Sequence, residues 1–305
     1  TVGGTSSFTA DGNDKLITLD QNHALTGAIS ITTTDNETTV NNDADVTISG
    51  MNSGLELKLG TLTIKGDLSI TTASTVGISD EGVLTIHGTS TFVTSTDDAT
   101  INLGSTNLFN GEIDLSTQGT SGHVTLVQGD STMLKFAASE VRGNLNATTG
   151  SGSAVQQTGI LTVDGTTDIS TEDAGGDGTH DSNVKINSYE NVLTGAVSLE
   201  GWNVRLINSK AVEVGTLKSR ALILTARGAI TQSLASVITS EGVSTITAQS
   251  SDTNTDYDVT LENASNDIQG NIELTAANVS IKNTGSTLLG ESTLSGNDTI
   301  VTTGA

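Results

Sequence analysis

The chain has 305 residues with 34 Gly, no Pro and no Cys, and it is 34% hydrophobic but only 2% aromatic. This composition excludes a disulfide-stapled scaffold, a thiolate-ligated metal and a cysteine nucleophile. With 12 Lys and Arg against 35 Asp and Glu the formal charge is −23, so nucleic acid and anionic lipid are poor partner candidates, and no run of about eighteen apolar residues is present for membrane insertion.

In chain order the first alternating segment is Gly4-Thr5-Ser6-Ser7-Phe8, which returns as Gly88-Thr89-Ser90-Thr91-Phe92, Gly165-Thr166-Thr167-Asp168-Ile169 and Gly242-Val243-Ser244-Thr245-Ile246, at spacings of 84, 77 and 77. A second follows at Gly27-Ala28-Ile29-Ser30-Ile31 and returns as Gly111-Glu112-Ile113-Asp114-Leu115, Gly195-Ala196-Val197-Ser198-Leu199 and Gly270-Asn271-Ile272-Glu273-Leu274, at 84, 84 and 75. The two landmarks share one frame. It gives a partial unit over 1–26, units over 27–110, 111–194 and 195–269, and a partial unit over 270–305, read together as one continuous domain.

Between landmarks lie short segments of period-two alternation, such as Leu62-Thr63-Ile64, Val204-Arg205-Leu206 and Val279-Ser280-Ile281, separated by Gly, Asn, Asp and Ser. The 52 Thr are β-branched and favour a pleat. Helical spacing is nowhere sustained, so the chain reads as all-β. A unit of 75 to 84 residues is too long for one solenoid coil and divides into about three coils of about 25, giving about twelve stacked coils around a narrow column of Ile, Val, Leu and Ala. A four-bladed propeller is the competing architecture, but its blades run about 40 to 50 residues.

Carboxylates collect in one turn of each unit: Asp11 to Asp14, Asp97-Asp98, Glu172 through Asp177 and Asp181, and Asp252 to Asp258. The last places Asp252, Asn254, Asp256 and Asp258 at every second residue, as the first half of a Ca²⁺ loop does, although Tyr257 stands where such a loop turns on Gly and the distal Glu is missing. Asp177 and Asp181, in Gly175-Gly176-Asp177-Gly178-Thr179-His180-Asp181, resemble a single calcium-binding nonapeptide. Ca²⁺ is therefore the one cofactor to expect, and the plainer reading is that acidic turns solvate one edge. Arg142, Arg205, Arg220 and Arg227 are scattered, Trp202 has no aromatic neighbour, and the His at 23, 87, 123 and 180 lack metal spacing. No catalytic residues are assigned and an enzyme is not expected. Asn208 and Asn283, each thirteen residues after its unit's Gly, read as a stacked structural amide.

Gly195-Ala196-Val197-Ser198-Leu199, Asn203-Val204-Arg205-Leu206, Gly228-Ala229-Ile230-Thr231-Gln232 and Asn278-Val279-Ser280-Ile281 resemble the repeat arrays of filamentous-haemagglutinin-type bacterial surface proteins. The resemblance implies a right-handed parallel β-helix in a large secreted or surface-anchored adhesin or filament, and it supplies no catalytic residues. The function to expect is a structural and adhesive module, extracellular or on the cell surface. Its partners would be copies of itself or further repeats end to end, and surface glycans or receptors. The alternative is a carbohydrate-binding or carbohydrate-cleaving β-helix. Thr1-Val2-Gly3-Gly4 aligns with Thr162-Val163-Asp164-Gly165, and Thr302-Thr303-Gly304-Ala305 with Thr148-Thr149-Gly150-Ser151, so a segment of a longer array is expected.

Overall fold

The computed structural model describes residues 1–12, 15–34, 44–51, 54–171 and 180–302. They form two compact units, Thr1–Ser153 and Ala154–Ala305. Each is a β-solenoid of stacked coils with two parallel sheets, and among the described strands the one antiparallel pairing is a local hairpin, Gln249 opposite Asp256. Parallel ladders of this kind rule out propeller blades, whose strands meander within one sheet.

The alternation seen in the sequence is what builds the coils. In Ile29–Thr34, Leu68–Thr72 and the first five residues of Ser90–Asp97 every second side chain is buried, and the strand of the next coil repeats the pattern: Leu68 pairs with Ser90, Ile70 with Phe92. The core is a column of Ile, Leu and Val almost free of solvent contact. It also admits three of the four Phe, Phe92, Phe109 and Phe136, all in the first unit. Phe92 and Phe109 meet edge to face at 6.0 Å and 85°, a favourable aromatic geometry. Where a strand turns the corner, a buried Thr hydroxyl replaces the ladder bond: Thr94 donates to Ala99 O at 3.2 Å and Thr117 to Gly122 O at 2.7 Å.

The repeat is not a whole number of coils. From Ser6–Asp11 the chain crosses between the sheets at Ile17–Leu19, Ile29–Thr34, Val46–Met51, Leu57–Ile64, Leu68–Thr72, 77–86 and Ser90–Asp97. Seven crossings are three and a half coils, so a repeat of 84 residues gives 24 per coil, and the expected three coils gain a half. That half coil sends the next copy of each landmark to the opposite sheet. In the first unit Ile29–Thr34 and Glu112–Gln118 lie on different sheets. In the second, Val197–Glu200 and Asn271–Ala276 do so as well.

Within each copy the two landmarks become neighbours. Ser6–Asp11 pairs with Ile29–Thr34, Ser90–Asp97 with Glu112–Gln118, Thr167–Thr171 with Val197–Glu200, and Ser244–Ser250 with Asn271–Ala276. Their glycines stack: a Cβ on Gly27, Gly111, Gly195 or Gly270 would sit 2.5, 2.2, 2.5 or 2.1 Å from the carbonyl oxygen of Gly4, Gly88, Gly165 or Gly242. The invariable Gly of the landmark is therefore required by the approach of two backbones.

Candidate functional site: a repeated notch of hydroxyls and carboxylates

Pairing the landmarks sets their outward residues side by side: Ser7 with Ser30, Thr91 with Asp114, Asp168 with Ser198, Thr245 with Glu273. In three of these copies the coil that follows has a glycine against the second residue of the pair. A Cβ on Gly60 would lie 2.4 Å from Ser30 Oγ, one on Gly215 2.2 Å from Ser198 Oγ, and one on Gly290 2.9 Å from Glu273 Cγ. At Gly60 and Gly215 the ladder also shifts register, and Thr216 N donates to Ser198 Oγ at 3.0 Å. The missing side chains leave an open notch. In the second unit it appears twice, with a volume of about 340 Å³ beside Asp168, Ser198 and Thr216 and about 290 Å³ beside Thr245, Glu273 and Glu291. These are equivalent repeat positions on opposite sheets.

One rim of the larger notch is the turn Ser233 to Ser236. Ser233 Oγ donates to Val214 O at 3.0 Å and Ser236 Oγ to Ser233 O at 2.8 Å, with Ala235 at φ 65. This pinned turn holds Leu234 wholly in solvent. Burial raises the carboxyl of Asp114 above the ordinary range, and burial followed by the Glu200 charge does the same to Asp168.

Asp114, half-buried, gives a direct test. A carboxyl whose folded pKa is raised favours the fold below its unfolded value and loses that contribution as pH rises through the folded value. Asp114→Asn is therefore expected to raise the melting temperature at pH 7 by about 1–2 °C, with the gain vanishing below about pH 4. A gain that persists in acid, or a fall at neutral pH, would contradict this origin.

The four oxygen residues of the acidic turn at 252–258 are not brought to one point. Asn254, at φ 49, lies in the tip of the hairpin formed by Gln249, Ser250, Thr255 and Asp256. Asp256 accepts from Gln249 Nε2 at 2.7 Å, Asp252 faces Arg227 Nη1 at 3.5 Å, and Asp258 accepts from the Asn278 backbone N at 3.0 Å and Nδ2 at 2.8 Å. Asp177 lies outside the described residues. Asp181 follows His180, whose Nε2 is 3.0 Å from Glu200 Oε2. Among the described residues no three His, Asp or Glu assemble as a metal cluster.

Carboxylates elsewhere fasten one coil to the next. Asp45 accepts from Asp67 N at 2.7 Å and Asp67 in turn from Thr89 N at 2.7 Å, each one coil on. Asp98 accepts from Thr120 N and Ser121 N at 2.8 and 2.7 Å, and Asp130 from Ser151 N at 3.0 Å. These carboxylates fasten coil to coil with charge-assisted bonds, and in the acidic turn at 97–98 it is Asp98 that does so.

A second set of fastenings is buried. The side-chain oxygens of Asn107, Asn191 and Asn266 accept from Leu84 N, Leu161 N and Ile238 N at 2.8, 3.0 and 2.9 Å. Those of Gln128, Asn208 and Asn283 accept from Phe109 N, Leu193 N and Ile268 N at 3.1, 2.9 and 2.8 Å. The expected amides at 208 and 283 are thus half of a device that recurs with the repeat. Trp202, by contrast, lies under the Arg220 guanidinium at 4.8 Å and Tyr189 under Arg227 at 5.5 Å, so these two aromatics are each capped by a cation.

No curated protein and no solved structure matches this chain. A family model described as repeats of unknown function (DUF5649) matches residues 1–32, 37–116, 121–200 and 201–275, with steps close to the 84-residue frame set by the stacked glycines. The chain is a β-solenoid repeat protein and belongs to that family.

Proposed function

We propose that the chain is a structural and adhesive segment of a large extracellular surface protein or filament. The observation that carries this reading is where its polar chemistry goes: Asp45, Asp67, Asp98 and Asp130, and the buried Asn and Gln, are spent on bonds between coils. Such a chain gains cohesion from nearest-neighbour stacking and can be lengthened by copying. The −23 charge keeps neighbouring filaments apart, and Ca²⁺ enters this reading as relief of that repulsion.

The coil that carries Leu288, Leu289 and Val301 leaves all three exposed, and its strand Asp298–Thr302 is paired along one edge to Val279–Asn283. A further repeat or a second copy would cover them by strand pairing, a heterologous contact that propagates. A carbohydrate-binding role is the second reading, favoured by the two notches with their hydroxyls, carboxylates and the exposed Leu234.

Electron microscopy at rising concentration, run beside a glycan array and an assay for reducing ends released from acidic polysaccharide, separates the two. End-to-end filaments that shorten with Thr302→Pro, which removes an N–H facing the unpaired edge of Asp298–Thr302, are the expected result. Dispersed monomers that bind or cleave a glycan would replace the filament with the carbohydrate reading.

A further inference from the structure

We propose that Asn110-Gly111 is a self-processing site, at which the folded chain converts the Asn110 amide to a carboxylate through a cyclic imide, promoted by Lys135 and His87. It is the one Asn-Gly step in the sequence. Gly111 is required for packing, since its Cβ would lie 2.2 Å from Gly88 O. The asparagine is not, because Thr26, Thr194 and Gln269 precede the equivalent glycines.

Successive coils stack Lys65, His87, Asn110 and Lys135 at one turn. Lys65 Nζ is 3.2 Å from His87 Nε2, His87 Nδ1 is 3.4 Å from Asn110 Nδ2, and Lys135 Nζ donates to the Asn110 backbone oxygen at 3.1 Å. An ammonium can only donate, so Nε2 accepts and the neutral ring carries its proton on Nδ1. The Nδ1–H then needs an acceptor, so the hydrogen bonding assigns the amide with its oxygen, in place of its nitrogen, toward the ring.

Both carbonyls of Asn110 therefore receive a donor. The ammonium draws electron density from the peptide group and acidifies the Gly111 N–H. The imidazole polarises Cγ and stabilises the oxyanion that forms there. Among the described residues the Gly111 N–H makes no backbone bond that must break, whereas the equivalent Gly195 donates to Gly165 O at 3.1 Å.

In the step, the Gly111 nitrogen bonds to Asn110 Cγ and gives its proton to water. The Cγ–Nδ2 bond breaks, and the departing nitrogen takes a proton from water and leaves as ammonia. Water then opens the imide at either C–N bond, giving an aspartyl or isoaspartyl residue. One water is consumed per ammonia released and nothing is oxidised. The aspartyl product sets a carboxylate among Lys65, His87 and Lys135, none of which has a described carboxylate within salt-bridge distance. The isoaspartyl product lengthens the backbone by a methylene just before Glu112–Gln118 and breaks its register with Ser90–Asp97.

Peptide mass mapping of the full chain, kept native or in urea at neutral pH, tests this. Asn110 should lose its amide before any other Asn and faster in the native chain than in urea. Lys135→Met should slow the native rate about tenfold and leave the rate in urea unchanged. Slower loss in the native wild type than in urea would overturn the proposal without reference to any variant. An unchanged native rate in Lys135→Met, with its circular dichroism intact, would also overturn it.

Discussion

Asn208→Leu is expected to destabilise the second unit by about 3 kcal/mol, although it replaces a polar group in the core by an apolar one of similar size. Asn208 is fully buried. Its Oδ1 accepts from Leu193 N at 2.9 Å, and its Nδ2 donates to Leu193 O at 3.1 Å and Ala211 O at 2.9 Å. The side chain thus serves Leu193 as a neighbouring strand would, taking its N–H and giving to its carbonyl. Leucine leaves the Leu193 N–H and carbonyl buried without partners, at about 1–3 kcal/mol each, and the apolar gain offsets only part. Asn283→Leu should behave alike, because Asn283 accepts from Ile268 N at 2.8 Å and donates to Ile268 O at 2.9 Å. In urea the midpoint should fall with an unchanged slope. A loss below about 1 kcal/mol would mean that water or a shifted strand replaces the amide.

The solenoid was legible from the sequence because alternation and glycine punctuation act within one strand. The half coil was not. Ile29-Ser30-Ile31 and Ile113-Asp114-Leu115 read alike, with apolar residues inward and short polar residues outward, and yet they lie on opposite sheets. Both sheets ask the same of a strand, so nothing in a strand marks its sheet. The carboxylates that fasten the coils were hidden for another reason. Asp67 meets Thr89 N, but the step between coils varies from Val197 with Val214 to Thr167 with Val197, so no fixed spacing reveals an acceptor and its donor.

Asn191 and Asn266 could have been found. They precede Asn208 and Asn283 by the same 17 residues, and Gln157 and Gln232 precede them by the same 34. Each pair is joined amide to amide: Asn191 Nδ2 donates to Gln157 Oε1 at 2.9 Å and Asn266 Nδ2 to Gln232 Oε1 at 3.0 Å. The 252–258 segment is ambiguous in the sequence. Oxygen at alternate residues suits a metal loop and suits a hairpin equally, since alternate residues of a strand share a face, and here they take separate partners.

The second large effect is expected at the glycine stack. Gly270→Ala should cost about 3 kcal/mol or more, because its Cβ would stand 2.1 Å from Gly242 O and 2.2 Å from Gly242 C. Neither atom belongs to a side chain that can turn away. Relief requires the two coils to part, and the bonds between Ser244–Ser250 and Asn271–Ala276 then lengthen together. Hydrogen exchange should show this as lost protection in those two strands, with Ile29–Thr34 and Leu68–Thr72 unaffected, since coils couple mainly to their neighbours. Gly3→Ala is the control. No atom lies within 4 Å of its Cβ, so the substitution should be neutral or slightly stabilising through the unfolded chain. Equal effects at the two positions would show that glycine serves the landmark through backbone freedom. A large effect confined to Gly270, and repeated at Gly195, whose Cβ would lie 2.5 Å from Gly165 O, would show that the repeat is held in phase by contact between two bare backbones.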